Sequence, residues 1–313
     1  MLLAILFLVI SLIVLVKSAD IFTDASERIG LYFGLSSFIV GATIVSIGSS
    51  LPELVTSMIS IFNGGGEEVK FAIDNIIGSN IANIFLVAGI SGIVVGVLRV
   101  KNELIDVDLP FFFISSALFI LLIMDGQFTR AEGVVSLFLL IIFIFYTIKT
   151  GQKEKKKENK KRVKLGIKEL LGVGVGVVGV YLGAKYTVSN VLLISSLIPG
   201  VNQSMITMLV VAVGTSLPEL VVSVQAALQK KYSVALGNVF GSNTFNALGV
   251  AGIPSLFGTL KVSESAFTIG IPFLIVASLA FIFTTHDNTI KKWEGYTFLI
   301  LYLVFVGKLL KII

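Results

Sequence analysis

GSSLPEL, at residues 48–54, recurs with one substitution as GTSLPEL at residues 214–220. Each copy lies within a long apolar run and places a proline and a glutamate where a membrane-spanning helix should contain neither. Proline removes one helical hydrogen bond, and the carbonyls that it frees need another partner inside a bilayer. A carboxylate at membrane depth is costly and marks a functional site. Two such breaks in corresponding parts of one chain predict a midplane ion site in a transporter built from repeats.

The composition is that of a polytopic membrane protein. Of the 313 residues, 55% are hydrophobic and only 14% are charged, and the mean hydropathy is +0.98. Apolar runs of bilayer length recur along the chain, which excludes a soluble protein. The run at the start has no preceding basic segment, so we interpret it as the first span and not as a signal peptide. We predict ten spans, at residues 2–22, 35–62, 73–98, 108–125, 131–149, 167–188, 202–229, 233–257, 265–285 and 293–312.

One strongly basic loop predicts the orientation in a cell membrane. Residues 151–164 read GQKEKKKENKKRVK, and lysine and arginine favour the cytoplasmic side. With this loop inside, the alternate loops also lie inside, and both termini lie outside. Those loops hold Arg28, Arg99 with Lys101, Lys230 with Lys231, and Lys291 with Lys292. We expect the loop to set topology and to meet anionic lipid headgroups.

An internal repeat extends well beyond the paired heptapeptides. DNIIGSNIANIF at residues 74–85 matches GNVFGSNTFNAL at residues 237–248. Five predicted spans precede the basic loop and five follow it, and an odd number of spans turns the second copy upside down. The sequence therefore predicts a first repeat at residues 1–150, a cytoplasmic linker at 151–166 and a second, inverted repeat at 167–313. The repeat pairs Glu53 with Glu219, Ser79 with Ser242, and Asn83 with Asn246.

Each second motif carries a polar stripe at helical spacing. Asn75, Ser79 and Asn83 are four residues apart, and their counterparts Asn238, Ser242 and Asn246 have the same spacing. Residues four apart share one helical face, and a polar face on an apolar helix should point into the protein. Interhelical hydrogen bonding explains isolated asparagines of this kind. Two matching stripes beside two broken helices favour ligation instead.

The residue types at the breaks suit a hard cation. Two glutamates that converge near the midplane repel each other unless a cation lies between them. Calcium takes six to eight oxygen ligands, which carboxylates, freed carbonyls around Gly48 and Gly214, and asparagine amides can supply. The chain has no cysteine and its one histidine, His286, falls in a loop, so a soft-metal site is disfavoured. We expect no cofactor and no nucleic-acid partner.

The paired GSSLPEL and GTSLPEL, each followed by a GSN helix, resemble the two alpha-repeats of the calcium/cation antiporter superfamily. The archaeal and bacterial sodium/calcium exchanger branch is especially similar, and the resemblance covers the whole chain. It implies an all-α fold of ten transmembrane helices in two inverted five-helix repeats, in which broken helices 2 and 7 and polar helices 3 and 8 form the ion site. It also implies alternating access, with Ca2+ held by Glu53, Glu219 and the carbonyls of Ser49 and Thr215. The remaining site residues that it implies, for Na+ or for the centre, are Ser50, Ser79, Asn83, Ala212, Ser242 and Asn246, and Ser216 matches Ser50 in the repeat.

Three departures from the family pattern bear on the coupling ion. Many relatives have an aspartate where this chain has Asn246, and often an alanine where it has Ser46. Asp74 stands where the family favours glycine, as at its counterpart Gly237. Asp74 could relay protons, or it could simply cap a helix N-terminus at the outer surface. Two carboxylates neutralise one Ca2+ or two protons, so these features favour H+ as the coupling ion, with Na+ as the alternative.

Other classes of function fit the sequence less well. A passive channel does not need two broken helices around its site. An intramembrane hydrolase built on Ser50 or Ser216 would lack a base, because the only histidine is outside the spans. GVGVVG at residues 174–179 fits a dinucleotide pattern but lies in an apolar span, where small residues serve helix packing. We predict a monomeric antiporter without enzymatic activity, in which the small-residue-rich first and sixth spans move against the others.

Overall fold

The computed structural model describes residues 2–62, 68–100, 108–155, 166–196, 214, 216–310 and 312. These parts are almost entirely helical, which confirms the predicted all-α membrane fold. The α-helices are α1 (Leu2–Phe33), α2 (Ser37–Val40), α3 (Ser46–Ser49), α4 (Leu51–Phe62), α5 (Glu68–Ala82), α6 (Gly89–Val95), α7 (Asp108–Ile123), α8 (Arg130–Lys155), α9 (Ile167–Ser196), α10 (Leu217–Leu228), α11 (Tyr232–Phe245), α12 (Ala251–Ser255), α13 (Ile271–Thr285) and α14 (Lys292–Leu309). Within the described residues, π-helical segments join α2 to α3 (Gly41–Val45), α5 to α6 (Asn83–Ala88) and α11 to α12 (Asn246–Val250), and another precedes α13 (Ala266–Gly270).

Six helical stretches in the described part of the chain are long and apolar enough to cross a membrane. They coincide with the predicted first, second, third, fifth, sixth and ninth spans. Helices α7 and α10 are shorter apolar helices. Helices α11 and α12 together occupy the predicted eighth span, and α14 occupies the predicted tenth span. Most of the first half of the predicted seventh span lies outside the described residues.

The first helix is longer than predicted. We expected the span to end near residue 22, but α1 continues to Phe33 through a polar segment. The polar side chains of this extension are paired with α9 and with the connection between α10 and α11, so the chain has a reason to remain helical beyond its apolar part. Gln229 donates to Asp20 at 2.8 Å, Lys231 binds Asp24 and Glu27, and Arg28 lies 3.5 Å from Glu169.

Two small antiparallel strand pairs, which the sequence did not predict, tie the repeats together. β1 (Val97–Arg99) pairs with β4 (Thr289–Lys291), and β2 (Gln127–Phe128) pairs with β3 (Leu260–Lys261). Under the repeat, β1 corresponds to β3 and β2 to β4, so the two pairs are related by the same pseudo-symmetry. Each pair places two predicted same-side loops together.

Close helix crossings also join the two repeats. A Cβ on Gly133 of α8 would lie 3.0 Å from the carbonyl oxygen of Gly252 in α12. A Cβ on Gly295 of α14 would lie 2.6 Å from the carbonyl oxygen of Gly89 in α6. These two crossings are again equivalent in the repeat, so the fifth span of each half packs on the third span of the other half.

Helices α1 and α9 form a tightly packed antiparallel pair. Four glycines of α9 face α1, and a Cβ on Gly176 would lie 2.6 Å from Phe22 Cβ and 2.7 Å from Phe22 Cα. The other contacts are Gly172 with Ala25, Gly179 with Ser18, and Gly183 with Leu15. Because backbones meet directly, the pair is held by close packing, as small residues allow in membranes.

Candidate cation-binding site

Both broken helices contain the same local break. Ser50 has φ −87° and ψ 8°, and Ser216 has φ −91° and ψ 9°. The following helices, α4 and α10, begin at the next residue, and each has its proline in the first turn, where a missing N–H costs least. The glutamate comes one residue after the proline. The repeated sequence therefore produces a repeated geometry.

The two glutamates are buried and face donors from neighbouring helices. Glu53 and Glu219 are each 1% exposed. The Ser50 hydroxyl donates to Glu219 Oε1 at 2.9 Å, and the Ser79 hydroxyl lies 3.5 Å from Glu53 Oε1. The first contact crosses between the repeats, whereas the second stays within the first repeat.

Among the described residues, no cationic side chain is buried beside the two carboxylates. The two carboxylates repel each other electrostatically. Within the described ranges, no lysine, arginine or histidine is buried, and no group of three or more acidic, histidine or cysteine residues could hold a metal ion. Two buried charges without a partner are unstable in a low-dielectric interior. A divalent cation, two monovalent cations or two protons would neutralise them.

Several residues of the predicted site also hold buried polar atoms without a hydrogen bond in the described part of the chain. Native structures seldom leave buried polar atoms without a hydrogen bond, and such atoms suit cation ligation when several converge. Counting only the described residues, the buried polar atoms of the predicted site without a hydrogen-bond partner are Oε2 of Glu53 and Glu219, Oγ of Ser216 and Ser242, and both amide atoms of Asn83 and Asn246. Their oxygens are hard ligands, which fits Ca2+ and Na+.

The asparagines at the centre each begin a π-helical segment. Asn83 is the first residue of Asn83–Ala88, and Asn246 is the first residue of Asn246–Val250. The Asn83 segment packs against α10, which carries Glu219, and the Asn246 segment packs against α4, which carries Glu53. π-Helical turns occur often at functional sites because they offset the side chains around them. Sequence reasoning missed these segments, and their residues give no local signal for them.

The other two asparagines of the polar stripes make different contacts from those expected. Asn75 lies 3.5 Å from the Thr56 hydroxyl. Asn238 accepts from Ser49 and donates to Ser223. These amides bind protein groups, so each stripe divides into an engaged asparagine and an asparagine available for ligation.

The structure bears on two of the departures from the family pattern, Asp74 and Ser46. Asp74 is not a helix N-cap, as one interpretation held, because α5 begins six residues earlier at Glu68. Its carboxylate lies inside a predicted span and is partly buried. Ser46 is fully buried and donates to the Thr43 carbonyl at 3.2 Å. It fits because Gly241 faces it, where a Cβ would lie 2.4 Å from the Ser46 hydroxyl.

The remaining predicted site residues have defined places or lie outside the described residues. Ser49 is the last residue of α3 and is 1% exposed, and the Ser50, Ser216, Ser79 and Ser242 side chains are also buried. Ala212 and Thr215 lie outside the described residues. His286 is exposed just after α13, as expected of a loop residue.

The pair of α1 and α9 lies directly over the first break. A Cβ on Gly48 would lie 2.4 Å from Phe22 of α1 and 3.2 Å from Val177 of α9. Proline at position 52 frees the carbonyl of Gly48, because that carbonyl is four residues earlier. The two helices therefore pack against the residue whose carbonyl the proline frees.

Comparison with known proteins agrees with this geometry. The chain is 34% identical to an uncharacterized membrane protein of Methanocaldococcus jannaschii, over 97% of each protein, and 30% identical to the sodium/calcium exchanger MaX1 of Methanosarcina acetivorans, over 96% of this chain and 97% of MaX1. A solved structure of the sodium-calcium exchanger NCX_Mj superposes with a TM-score of 0.83 at 32% identity, covering 98% of both chains. The model of the sodium/calcium exchanger protein family matches residues 3–149 and 168–311. The chain belongs to the sodium/calcium exchanger family.

Proposed function

We propose that this protein is a secondary active antiporter that exports Ca2+ in exchange for a monovalent cation by alternating access. The observation that carries the proposal is the pair of buried carboxylates, Glu53 and Glu219, with no buried cationic side chain beside them in the described residues. A site of this charge holds a cation or protons but is costly when empty. Obligatory exchange follows, because one ion can leave readily only when another replaces its charge.

Sodium is the coupling ion that the combined observations favour. The relatives with 30% and 32% identity over nearly the whole chain are sodium/calcium exchangers. Each carboxylate has a serine hydroxyl beside it, from Ser50 or Ser79, and such neutral oxygens can ligate Na+ without adding charge. The departures at Asn246 and Asp74 had favoured protons, so the preference changes because of these relatives.

Protons remain the second candidate because of Asp74. This carboxylate lies within α5 and inside a membrane-spanning stretch, where an acid marks a proton relay or an ion path. If Asp74 relays protons, Asp74→Gly should weaken the pH dependence of exchange, and Asp74→Asn should do the same. An unchanged pH profile in both variants would remove Asp74 from the mechanism.

We further propose that the α1–α9 pair moves as one unit during alternating access. Its internal glycine contacts bind the two helices closely, and it covers Gly48 at the first break. Movement of such a unit would expose the site to one side at a time, whereas a passive channel would leave a continuous path. A disulfide or other cross-link that fixes α9 to α3 should stop exchange while Ca2+ binding persists.

The proposed setting is the cell membrane, with the basic loop in the cytoplasm and repeats at residues 1–150 and 167–313. The strand pairs support it, since each joins two loops assigned to the same side. We propose a monomer without enzymatic activity. Labelling of residues 127–128 and 151–164 on the same side would contradict this topology.

Calcium uptake into proteoliposomes tests the function and its coupling ion together. One experiment imposes a Na+ gradient at equal pH on both sides, and the other imposes a pH gradient in sodium-free buffer. We expect uptake in the first experiment only. Uptake in the second alone would make the protein a proton/calcium exchanger, and uptake without either gradient would indicate a channel.

A further inference from the structure

Asn238 uses its whole side chain to join two helices. It is 0% exposed and lies on α11, one turn before Ser242. Its Oδ1 accepts from the Ser49 hydroxyl at 3.2 Å, and its Nδ2 donates to the Ser223 hydroxyl at 2.9 Å. Asn246, two turns further on at the start of the π-helical segment, has no hydrogen bond from its amide within the described residues. The two asparagines of this stripe therefore have different tasks.

Both groups bound by Asn238 are next to the charged site. Ser49 directly precedes Ser50, whose hydroxyl donates to Glu219. Ser223 lies four residues after Glu219 on α10, so the two share one helical face. The amide thus connects the break in the first repeat with the glutamate helix of the second.

The matching asparagine in the first repeat does not make the corresponding bond. Asn75 contacts Thr56, and the Ser57 hydroxyl, which corresponds to Ser223, is buried without a hydrogen-bond partner in the described residues. The counterpart of Ser49 is Thr215, which lies outside the described residues. In the described part of the chain, the first repeat has no equivalent of the hydrogen bond that joins Asn238 to Ser223 on α10.

The neighbouring glycine explains how Asn238 reaches Ser49. A Cβ on Gly237 would lie 2.3 Å from the Phe38 carbonyl oxygen, and one on Gly41 would lie 2.4 Å from the Val234 carbonyl oxygen. The backbones of α11 and the second span therefore touch, which brings the Asn238 amide within hydrogen-bonding distance of α3. At the matching place in the first repeat the chain has Asp74, whose side chain is incompatible with so close an approach.

We propose that Asn238 is a positioning residue for cation exchange. It holds the Ser49 end of the first break against α10, and so fixes the Ser49 carbonyl and the Ser50 hydroxyl relative to the Glu219 carboxylate. It does not ligate the cation. This inference rests on the proposed function, because it assigns a role toward the same cation site.

The test measures Ca2+ affinity and maximal uptake in proteoliposomes that contain the full-length protein. Asn238→Leu removes both hydrogen bonds and keeps the branch of the side chain at Cγ, and the apparent Ca2+ affinity should fall about tenfold while maximal uptake changes little. Ser223→Ala removes only one end of the connection and should lower affinity about threefold. Asn75→Leu is the matched control, for which we expect a change of less than about twofold.

A double-mutant cycle separates positioning from general loss of structure. If Asn238 acts through Ser49, the variant that combines Ser49→Ala with Asn238→Leu should bind Ca2+ about as well as Asn238→Leu alone. Fully additive effects, or an equal loss of affinity in Asn75→Leu, would overturn the inference. Unchanged Ca2+ affinity in Ser223→Ala would also overturn the inference. This variant tests the inference if Asn238→Leu fails to fold.

The same experiment distinguishes failure of this inference from failure of the proposed function. If the unmodified protein exchanges Ca2+ and the Asn238→Leu variant binds Ca2+ with the same affinity, only the role of Asn238 is overturned. Unmodified protein that neither binds nor exchanges Ca2+ would overturn both.

Discussion

The Ser50 hydroxyl on the first broken helix donates a hydrogen bond of 2.9 Å to Glu219 Oε1 on the second. The two residues are 169 positions apart and belong to opposite repeats. The first break therefore contributes to the environment of the second repeat's carboxylate, so the site draws on both repeats. This relationship connects the doubled sequence motif to a single charged centre.

Removing the Ser50 hydroxyl should weaken exchange. Ser50→Ala deletes a donor to a buried carboxylate, and hydrogen bonds to charged groups are worth about 1.5–3 kcal/mol. We expect the apparent affinity for the coupling cation to fall about tenfold or more, as measured by the concentration of Na+ that drives half-maximal Ca2+ uptake. Ser50→Thr keeps the hydroxyl and should retain most of the affinity. Equal behaviour of the alanine and threonine variants would contradict the assignment.

The glycine contacts between α1 and α9 predict a sharp difference between neighbouring positions. A Cβ on Gly176 would lie less than 3 Å from backbone atoms of Phe22, which cannot move cheaply, whereas Gly174 has nothing within 4 Å. Gly176→Ala should therefore cost about 1–3 kcal/mol by overpacking, and it should slow Ca2+ uptake. Gly174→Ala should be neutral or slightly stabilising, because alanine favours helix. Thermal unfolding in detergent and uptake rates check both outcomes; a larger loss at Gly174 would refute the packing described.

Lys231 provides a prediction about pH. Burial opposes its charge, but hydrogen bonds and charge attraction from Asp24 and Glu27 outweigh burial and raise the pKa of Lys231. A raised folded-state pKa contributes stability that is fully present below the unfolded lysine pKa of about 10.4, and that is lost as pH rises through the folded value. The ion pairs are partly exposed, so Lys231→Gln should lower the free energy of unfolding by only about 0.2–1 kcal/mol.

The measurement is the difference in melting temperature between the unmodified protein and Lys231→Gln across pH. We expect this difference to stay constant from about pH 6 to 9 and to shrink only above the lysine range. A difference that vanishes near neutral pH would show that a group other than Lys231 titrates. Lys230→Gln is the matched control, since Lys230 is exposed and its side chain has no ion pair in the described residues.

The centre of the candidate site could be proposed from the sequence because proline and glutamate are exceptional in an apolar span. Their doubling identified Glu53 and Glu219, and both are buried beside predicted serine donors. The sequence could not divide the asparagine stripes into engaged and available amides. That division depends on how closely two helices approach, and the approach at Gly237 is a tertiary contact.

The missed elements have a physical cause of the same kind. The π-helical segments at Asn83 and Asn246 add one residue to a turn, and packing between helices stabilises them, not local propensity. The two-residue and three-residue strands are too short for a period of two to appear. The extension of α1 depends on partners such as Lys231, which is distant in the sequence.

One sequence signal for the loops was present but overlooked. DGQFTRAEG at residues 125–133 and DNTIKKWEG at residues 287–295 share their aspartate, their basic residue and their Glu-Gly ending. In both, the aspartate accepts a backbone hydrogen bond of 3.1 Å two residues later, and the residue between them has a positive φ. Glu132 and Glu294 then accept backbone hydrogen bonds of 2.6 Å at the starts of α8 and α14. This third repeated motif would have predicted both turns.

The central claim is that Glu53 and Glu219 together bind the transported Ca2+, and equilibrium Ca2+ binding to the purified protein tests it most directly. Glu53→Gln and Glu219→Gln should each lower the affinity about a hundredfold or more, because one buried charge can no longer balance a divalent cation. Neither variant should unfold, since each removes a repulsion between two buried carboxylates, and Glu264→Gln, at an exposed position far along the chain from both breaks, should bind normally. Ca2+ affinity close to that of the unmodified protein in either site variant would contradict the claim.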